Sequence, residues 1–273
     1  MKETINRIKK KIDQGRTIIG AGVDSSEMEQ VCSRAGCDLV LFYPTARLHE
    51  AENPFLAGYM PFGNTNDIML EEAREMTTVV SGHHIFLGMN GTDPFMTEDL
   101  LLKRFKEIHF QSVHNYPPIG LVDGYFEANL NRVSLGFDKE VESFRYASSV
   151  GFMTCSMVRT KRQAVMMAKA GADVIIFYLG LGDGSLSEEA NLKALEKDIR
   201  NLNDYSQALR RIGNDPVLLF HSEHIRTMDD VNHILKNTRG IHGYYLLPVS
   251  KKNYAATTLR AEIRQLQREN YRQ

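Results

Sequence analysis

Ile5, Ile8 and Ile12 recur at helical spacing among lysines, which predicts an amphipathic helix over residues 1–15 with one buried stripe. The next run, Thr17-Ile18-Ile19-Gly20-Ala21-Gly22-Val23, is short, β-branched and punctuated by glycine, the mark of a buried strand. Ser25 and Ser26 can cap a helix, Glu27 and Glu29 suit its first turn, and Ala35-Gly36 supplies a left-handed stop. Asp38–Tyr43 is again a strand.

This unit has an echo. Ala35-Gly36-Cys37-Asp38-Leu39-Val40-Leu41-Phe42-Tyr43 is matched by Ala170-Gly171-Ala172-Asp173-Val174-Ile175-Ile176-Phe177-Tyr178, an offset of 135 residues or about half the chain. Nearly continuous apolar strands that follow helices indicate a parallel sheet covered on both faces. A half-chain offset suits strands 2 and 6 of an eight-stranded barrel. Further strands are predicted over His84–Met89, Ser112–Tyr116, Phe152–Val158, Pro216–His221 and Ile241–Leu247. Helices are predicted over Asn66–Met76, Glu98–Ile108, Glu188–Arg211, Asp229–Lys236 and Ala255–Glu269, the third with Leu192, Leu195, Ile199 and Leu202 as its buried face. The expected fold is α/β, a single TIM (β/α)8 barrel with an extra N-terminal helix.

Length and composition fit one such domain. The chain has 273 residues, 42% hydrophobic and 25% charged, and a single α/β barrel commonly occupies about 250 residues. Residues 1–15 form the front helix, 16–250 the barrel and 251–273 a C-terminal helix of one domain. Disorder, collagen-like repeats and small disulfide scaffolds are excluded. Lys+Arg 33 against Asp+Glu 34 leaves a net charge of −1, so no global field attracts nucleic acid or an anionic membrane. No run approaches the roughly 18 apolar residues of a membrane span, and the start lacks an apolar signal core. A cytoplasmic protein without nucleic-acid or membrane partners is expected. Cys32, Cys37 and Cys155 are odd in number, and Cys32 and Cys37 lack zinc-knuckle spacing. All three are expected to be reduced, small and apolar in role.

In a parallel barrel, function gathers at the C-terminal strand ends. Those ends carry Gly20, Gly22 and Asp24, Tyr43, Asp93, Asn115, Tyr178 and Gly180, and His221 with Glu223. His221 and Glu223 share a strand face, and a histidine can serve as general acid or base. Gly180, Gly182 and Gly184 can offer backbone N–H groups to an anion, although the phosphate-loop pattern is absent. The long connections from Pro44 to Asn64 and from Tyr116 to Gly136 are expected to cover the mouth and to bring Arg47, Asn64 and Asp123 to a ligand. No nucleophilic triad and no strand-end lysine is visible.

Three stretches carry a resemblance: Asn53-Pro54-Phe55-Leu56-Ala57-Gly58, Gly91-Thr92-Asp93-Pro94-Phe95, and His114-Asn115-Tyr116-Pro117-Pro118-Ile119-Gly120-Leu121-Val122-Asp123-Gly124. Together with Ala170–Asp173 and Gly240–Tyr244, they resemble the phosphoenolpyruvate hydrolase-like family of TIM barrels, akin to phosphoenolpyruvate mutase and isocitrate lyase. The resemblance implies a hydrolase or lyase, a magnesium ion held at Asp93, and assembly into homo-oligomers. Against the family pattern, His221-Ser222-Glu223 replaces a His-Gly-Gly run, Tyr178 stands where a histidine is usual, Leu246–Val249 ends strand 8 differently, and Asp24-Ser25 replaces small residues after strand 1.

Two functions are therefore expected as alternatives. One is an enzyme acting on a small anionic 2-oxo acid or phosphorylated metabolite, with His221, Asp93, Asn115 and Glu223 catalytic and Gly20, Gly22, Asp24, Tyr43, Arg47, Asn64, Asp123, Tyr178 and Gly180 binding substrate. The other is a ligand-binding or regulatory barrel without turnover, which the altered strand ends favour.

Overall fold

In a computed structural model of the protein, residues 2–44, 58–60, 63–76, 85–180, 186–213, 215–249 and 256–268 are described. Eight parallel strands pair in sequence order and close into a barrel. They are β1 (Ile18–Val23), β2 (Leu39–Phe42), β3 (Ile85–Met89), β4 (Ser112–Asn115), β5 (Met153–Val158), β6 (Val174–Tyr178), β7 (Val217–His221) and β8 (Gly243–Val249). The helices are α1 (Lys2–Asp13), α2 (Ser26–Ala35), α3 (Thr65–Met76), α4 (Glu98–Glu107), α5 (Gly124–Arg132), α6 (Phe137–Ser149), α7 (Lys161–Lys169), α8 (Glu188–Arg210), α9 (Met228–Asn237) and α10 (Ala256–Arg268).

Strand alternation divides the apolar residues into two cores. Inward positions such as Leu39, Leu41, Phe86, Cys155, Ile176 and Leu219 fill the barrel. Outward positions such as Val40, Leu87, Val113, Ile175 and Phe220 pack beneath the helices. Helix α1 sits across the N-terminal end of the barrel, with Ile8 fully buried against the inner core and Ile5 and Ile12 beside it. Lys11 of that helix pairs with Asp38, and Lys9 reaches Asp215 at 3.2 Å.

The internal echo is structural. Gly36 and Gly171 both adopt positive φ, 100° and 95°, the left-handed stop that glycine reaches without a Cβ penalty. Asp38 then donates its N–H to Ile19 O at 2.7 Å and accepts Ile19 N–H on Oδ2 at 3.0 Å. Asp173 does the same with Thr154, at 3.0 Å and 2.9 Å.

Several expectations are corrected. Strand β8 runs two residues later than Ile241–Leu247 and carries Pro248. Its register against β1 shifts between Ala21 and Val23, and such an irregularity tolerates a residue without an N–H. At its start, a Cβ on Gly243 would lie 1.8 Å from Ile18 O, so β1 and β8 approach there only through glycine. Leu192 is 55% exposed, because Asn191 takes the inward place on α8 and donates to His224 O at 3.0 Å. Within the expected loop from Tyr116 to Gly136 lie a 3-10 turn, Ile119–Leu121, and the whole of α5, none of whose residues is buried.

Candidate active site at the barrel mouth

The C-terminal strand ends bring an aromatic layer into the barrel. Tyr43, Tyr116, Tyr178 and Tyr245 join the inner core, and the Tyr43 and Tyr245 hydroxyls meet at 2.8 Å. Desolvation raises both phenols well above their ordinary range and also raises Tyr116 and Tyr178. These are neutral hydroxyls, able to hydrogen-bond and not poised as bases. Tyr43 stands edge-on to Tyr116 with centroids 4.9 Å apart and lies 4.6 Å from the His114 ring. His114 is 1% exposed, and burial pushes it down to about 4. It is therefore neutral near pH 7, with Nε2 2.9 Å from Phe42 O.

His221 ends β7 beside Tyr178, its cross-strand partner on β6, and the two rings stack at 5.5 Å. His221 Nδ1 donates to Tyr245 O at 3.0 Å, which fixes the ring plane. Nε2 faces Glu223 Oε1 at 3.3 Å. The hydrogen bond from His221 leads the causes that hold the Glu223 carboxyl below its ordinary value. A carbonyl thus stands on one side of the ring and a carboxylate on the other, so both ring nitrogens face acceptors. Behind them, buried Asp198 accepts from Ser222 Oγ at 2.6 Å and lies 2.9 Å from His224 Nδ1. Ser222 and Asp198 approach the same ring nitrogen of His224, so no nucleophilic relay is formed.

The remaining expected site residues differ in their placement. Gly20 is packed inside the barrel, where a Cβ would meet Leu39, Tyr245 and Leu219 at 2.9, 3.0 and 3.2 Å. Gly22 follows on the same inward row, buried and paired with Leu41. Asp24 is half-buried at the end of β1, and Gly180 is half-buried at φ 94°. Arg47, Gly182 and Gly184 lie outside the described residues. Asp123 is exposed and pairs with Arg159 at 2.8 Å.

Asn115 points out through the barrel wall. Its Nδ2 donates to Met157 O and to Glu140 Oε1, each at 2.9 Å, and its Oδ1 accepts Met157 N–H at 2.7 Å. The amide thus ties β4 to β5 and α6 and does not face the mouth. Asp93 is likewise engaged. Oδ1 accepts Phe95 N–H at 2.8 Å, and Oδ2 accepts the Asn64 and Asn66 amides at 3.0 and 2.8 Å. Among the described residues, no three His, Cys, Asp or Glu side chains gather as metal ligands. The described residues around Asp93 thus do not fit a magnesium ion, which needs open carboxylate oxygens. Asp93 closes the turn before Pro94 and anchors the start of α3.

Two structural residues escaped the sequence reading. Glu140 on α6 is fully buried, accepts Ile119 N–H at 2.8 Å besides the Asn115 amide, and is pushed up to about 7 by desolvation. Tyr59 donates to Pro118 O at 2.8 Å, so the described part of the β2–α3 connection lies on the β4 connection.

An eight-stranded parallel barrel with polar side chains gathered at its C-terminal end defines a TIM-barrel protein. The phosphoenolpyruvate hydrolase-like family model matches residues 3–250, and the chain belongs to that family. Two tomato (Solanum lycopersicum) proteins, the ToMV susceptible protein tm-1(GCR26) and the ToMV resistance protein Tm-1(GCR237), are each 33% identical over 241 residues. Those alignments cover 88% of this chain and 32% of each tomato protein, so the chain spans about a third of their length. A crystal structure of 2,3-dimethylmalate lyase, a PEP mutase/isocitrate lyase superfamily member, matches with a TM-score of 0.51 at 13% identity, covering 97% of this chain and 88% of that one. That likeness is one of fold. Among the described residues, no helix is long and apolar enough to cross a membrane.

Proposed function

We propose that the barrel mouth acts on a small anionic metabolite, a 2-oxo acid or phosphorylated three-carbon compound, by acid–base chemistry. The observation that carries this reading is His221, bracketed by Tyr245 O and the Glu223 carboxylate at the rim of β7. When it carries a proton, the ring supplies a local positive charge in a chain of net charge −1 and a proton for a leaving oxygen or carbanion. Glu223 balances that charge while Nε2 carries the proton. Tyr178 stacks on the ring and limits its rotation. No step is routed through magnesium.

A second reading, a ligand-binding barrel without turnover, is favoured by the mouth aromatics. The Tyr43 and Tyr245 hydroxyls bond to each other and are not held apart for a substrate. The name of a related tomato protein as a resistance protein is in keeping with it.

Phosphoenolpyruvate and oxaloacetate, followed by proton and phosphorus NMR, separate the two. Consumption by the wild type that falls at least about 100-fold in His221→Gln supports catalysis by His221. Equal turnover in the variant overturns it. Ligand-induced thermal stabilisation without consumption supports the binding reading instead.

A further inference from the structure

The C-terminus of α2 holds two thiols in a backbone-defined embrace. Gly36 N–H donates to Ser33 O at 3.1 Å, and Cys37 N–H donates to Cys32 O at 3.0 Å. These are the two bonds of a Schellman cap, in which the residue after the left-handed glycine packs onto the residue three positions inside the helix. That packed pair is usually apolar; here it is Cys37 and Cys32, which belong to one packed cluster. Each Cα is one or two covalent bonds from the 3.0 Å hydrogen bond, which limits their separation to about 7 Å, close to what a disulfide spans. Cys32 is fully buried and Cys37 half-buried. Cys155, the remaining thiol, is inside the barrel.

We propose that Cys32 and Cys37 are a reversible redox modification site, forming an intramolecular disulfide that clamps the end of α2. The oxidant is a small disulfide such as oxidised glutathione. Cys37, the accessible member, releases its proton, and its thiolate attacks one glutathione sulfur and expels the other half as a thiolate. Cys32, shielded from the bulky oxidant, then loses its proton and attacks Cys37 Sγ. The Cys32–Cys37 bond forms and the second glutathione leaves. The two protons pass to the two leaving thiolates, so two protein thiols are oxidised and one small disulfide is reduced to two thiols. The neighbouring Cys32 thiol, burial and the nearby Asp38 and Glu29 carboxylates hold the Cys37 thiol up. The exchange therefore runs slowly at neutral pH and faster as pH rises.

The sequence provides its own readout, because Arg34 lies between the two cysteines. The full chain is incubated with oxidised glutathione at mildly alkaline pH, alkylated under denaturing conditions and digested with trypsin. The expected result is residues 17–34 joined to residues 35–47, two mass units below the sum of the free peptides. Dithiothreitol separates them, and Cys155 is recovered alkylated. In Cys32→Ser, Cys37 should instead retain glutathione as a stable mixed disulfide. Three free cysteines after equilibration, or a glutathione adduct that persists on Cys37 of the wild type, overturns the proposal.

Discussion

Asn115 Nδ2 lies 2.9 Å from Glu140 Oε1, a hydrogen bond made wholly inside the protein between a strand end and a helix. Glu140 also accepts Ile119 N–H, so one carboxyl group gathers β4, α6 and the turn that follows the strand. Both bonds favour the ionised form, yet desolvation outweighs them and raises the group to about 7.

The folded state therefore keeps a proton that the unfolded chain releases around the ordinary value of 4.5. Its stabilising effect is full below that value and is lost as pH rises through about 7. The loss amounts to about 3 kcal/mol across the window. Urea unfolding of wild type against Glu140→Gln at a series of pH values should show the variant's stability varying less over this range. Glutamine leaves one of the two N–H donors facing an NH2, so the variant is also the weaker protein at acid pH. Parallel curves for the two proteins would contradict the assignment of this titration to Glu140.

The paired hydroxyls of Tyr43 and Tyr245 make a double-mutant test. Tyr43→Phe and Tyr245→Phe should each cost about 1–2 kcal/mol, since each removes the bond between two buried hydroxyls. The double variant should cost less than the two together by roughly 1 kcal/mol. Strict additivity in chemical denaturation would show that the two oxygens are not each other's partners.

For Asp93, the expected phenotype is structural. Asp93→Ala should lower stability by about 1–3 kcal/mol, because the Asn64 and Asn66 amides and Phe95 N–H lose their acceptor. The decrease in melting temperature should be the same with and without millimolar magnesium. A magnesium-dependent rise in the wild type that disappears in the variant would restore the carboxylate to a metal site.

The barrel itself was legible because strand and helix periods differ and the half-chain echo repeats down to Asp38 and Asp173. Those aspartates make the same pair of bonds to Ile19 and Thr154 in the two halves. The site was less legible, for a local reason. Adjacent strand residues face opposite ways, so at the end of β4 the choice between His114 and Asn115 is a choice between the barrel interior and its wall. An amide looks like chemistry, but here it ties strands together. Helix α5 left no apolar stripe to read because it buries none of its residues. Glu140 is one acid among several on α6, and its burial and its bonds from Asn115 and Ile119, 25 and 21 residues away, distinguish it. No spacing rule carries that information. His221 and Glu223 do meet, at 3.3 Å, but β7 ends at His221 and Glu223 belongs to the turn that follows, so the turn and not strand alternation brings them together.

Helix α1 gives the barrel a floor. Ile8 closes the N-terminal end against an inner core that side chains already fill, so a ligand would meet the barrel at its C-terminal rim and not in a passage through its interior. A ligand held at that rim beside Tyr178 and His221 would arrive and depart on one face. Reactant and product would then exclude one another at a shared rim, and a released product would act as a competitive inhibitor of its own formation.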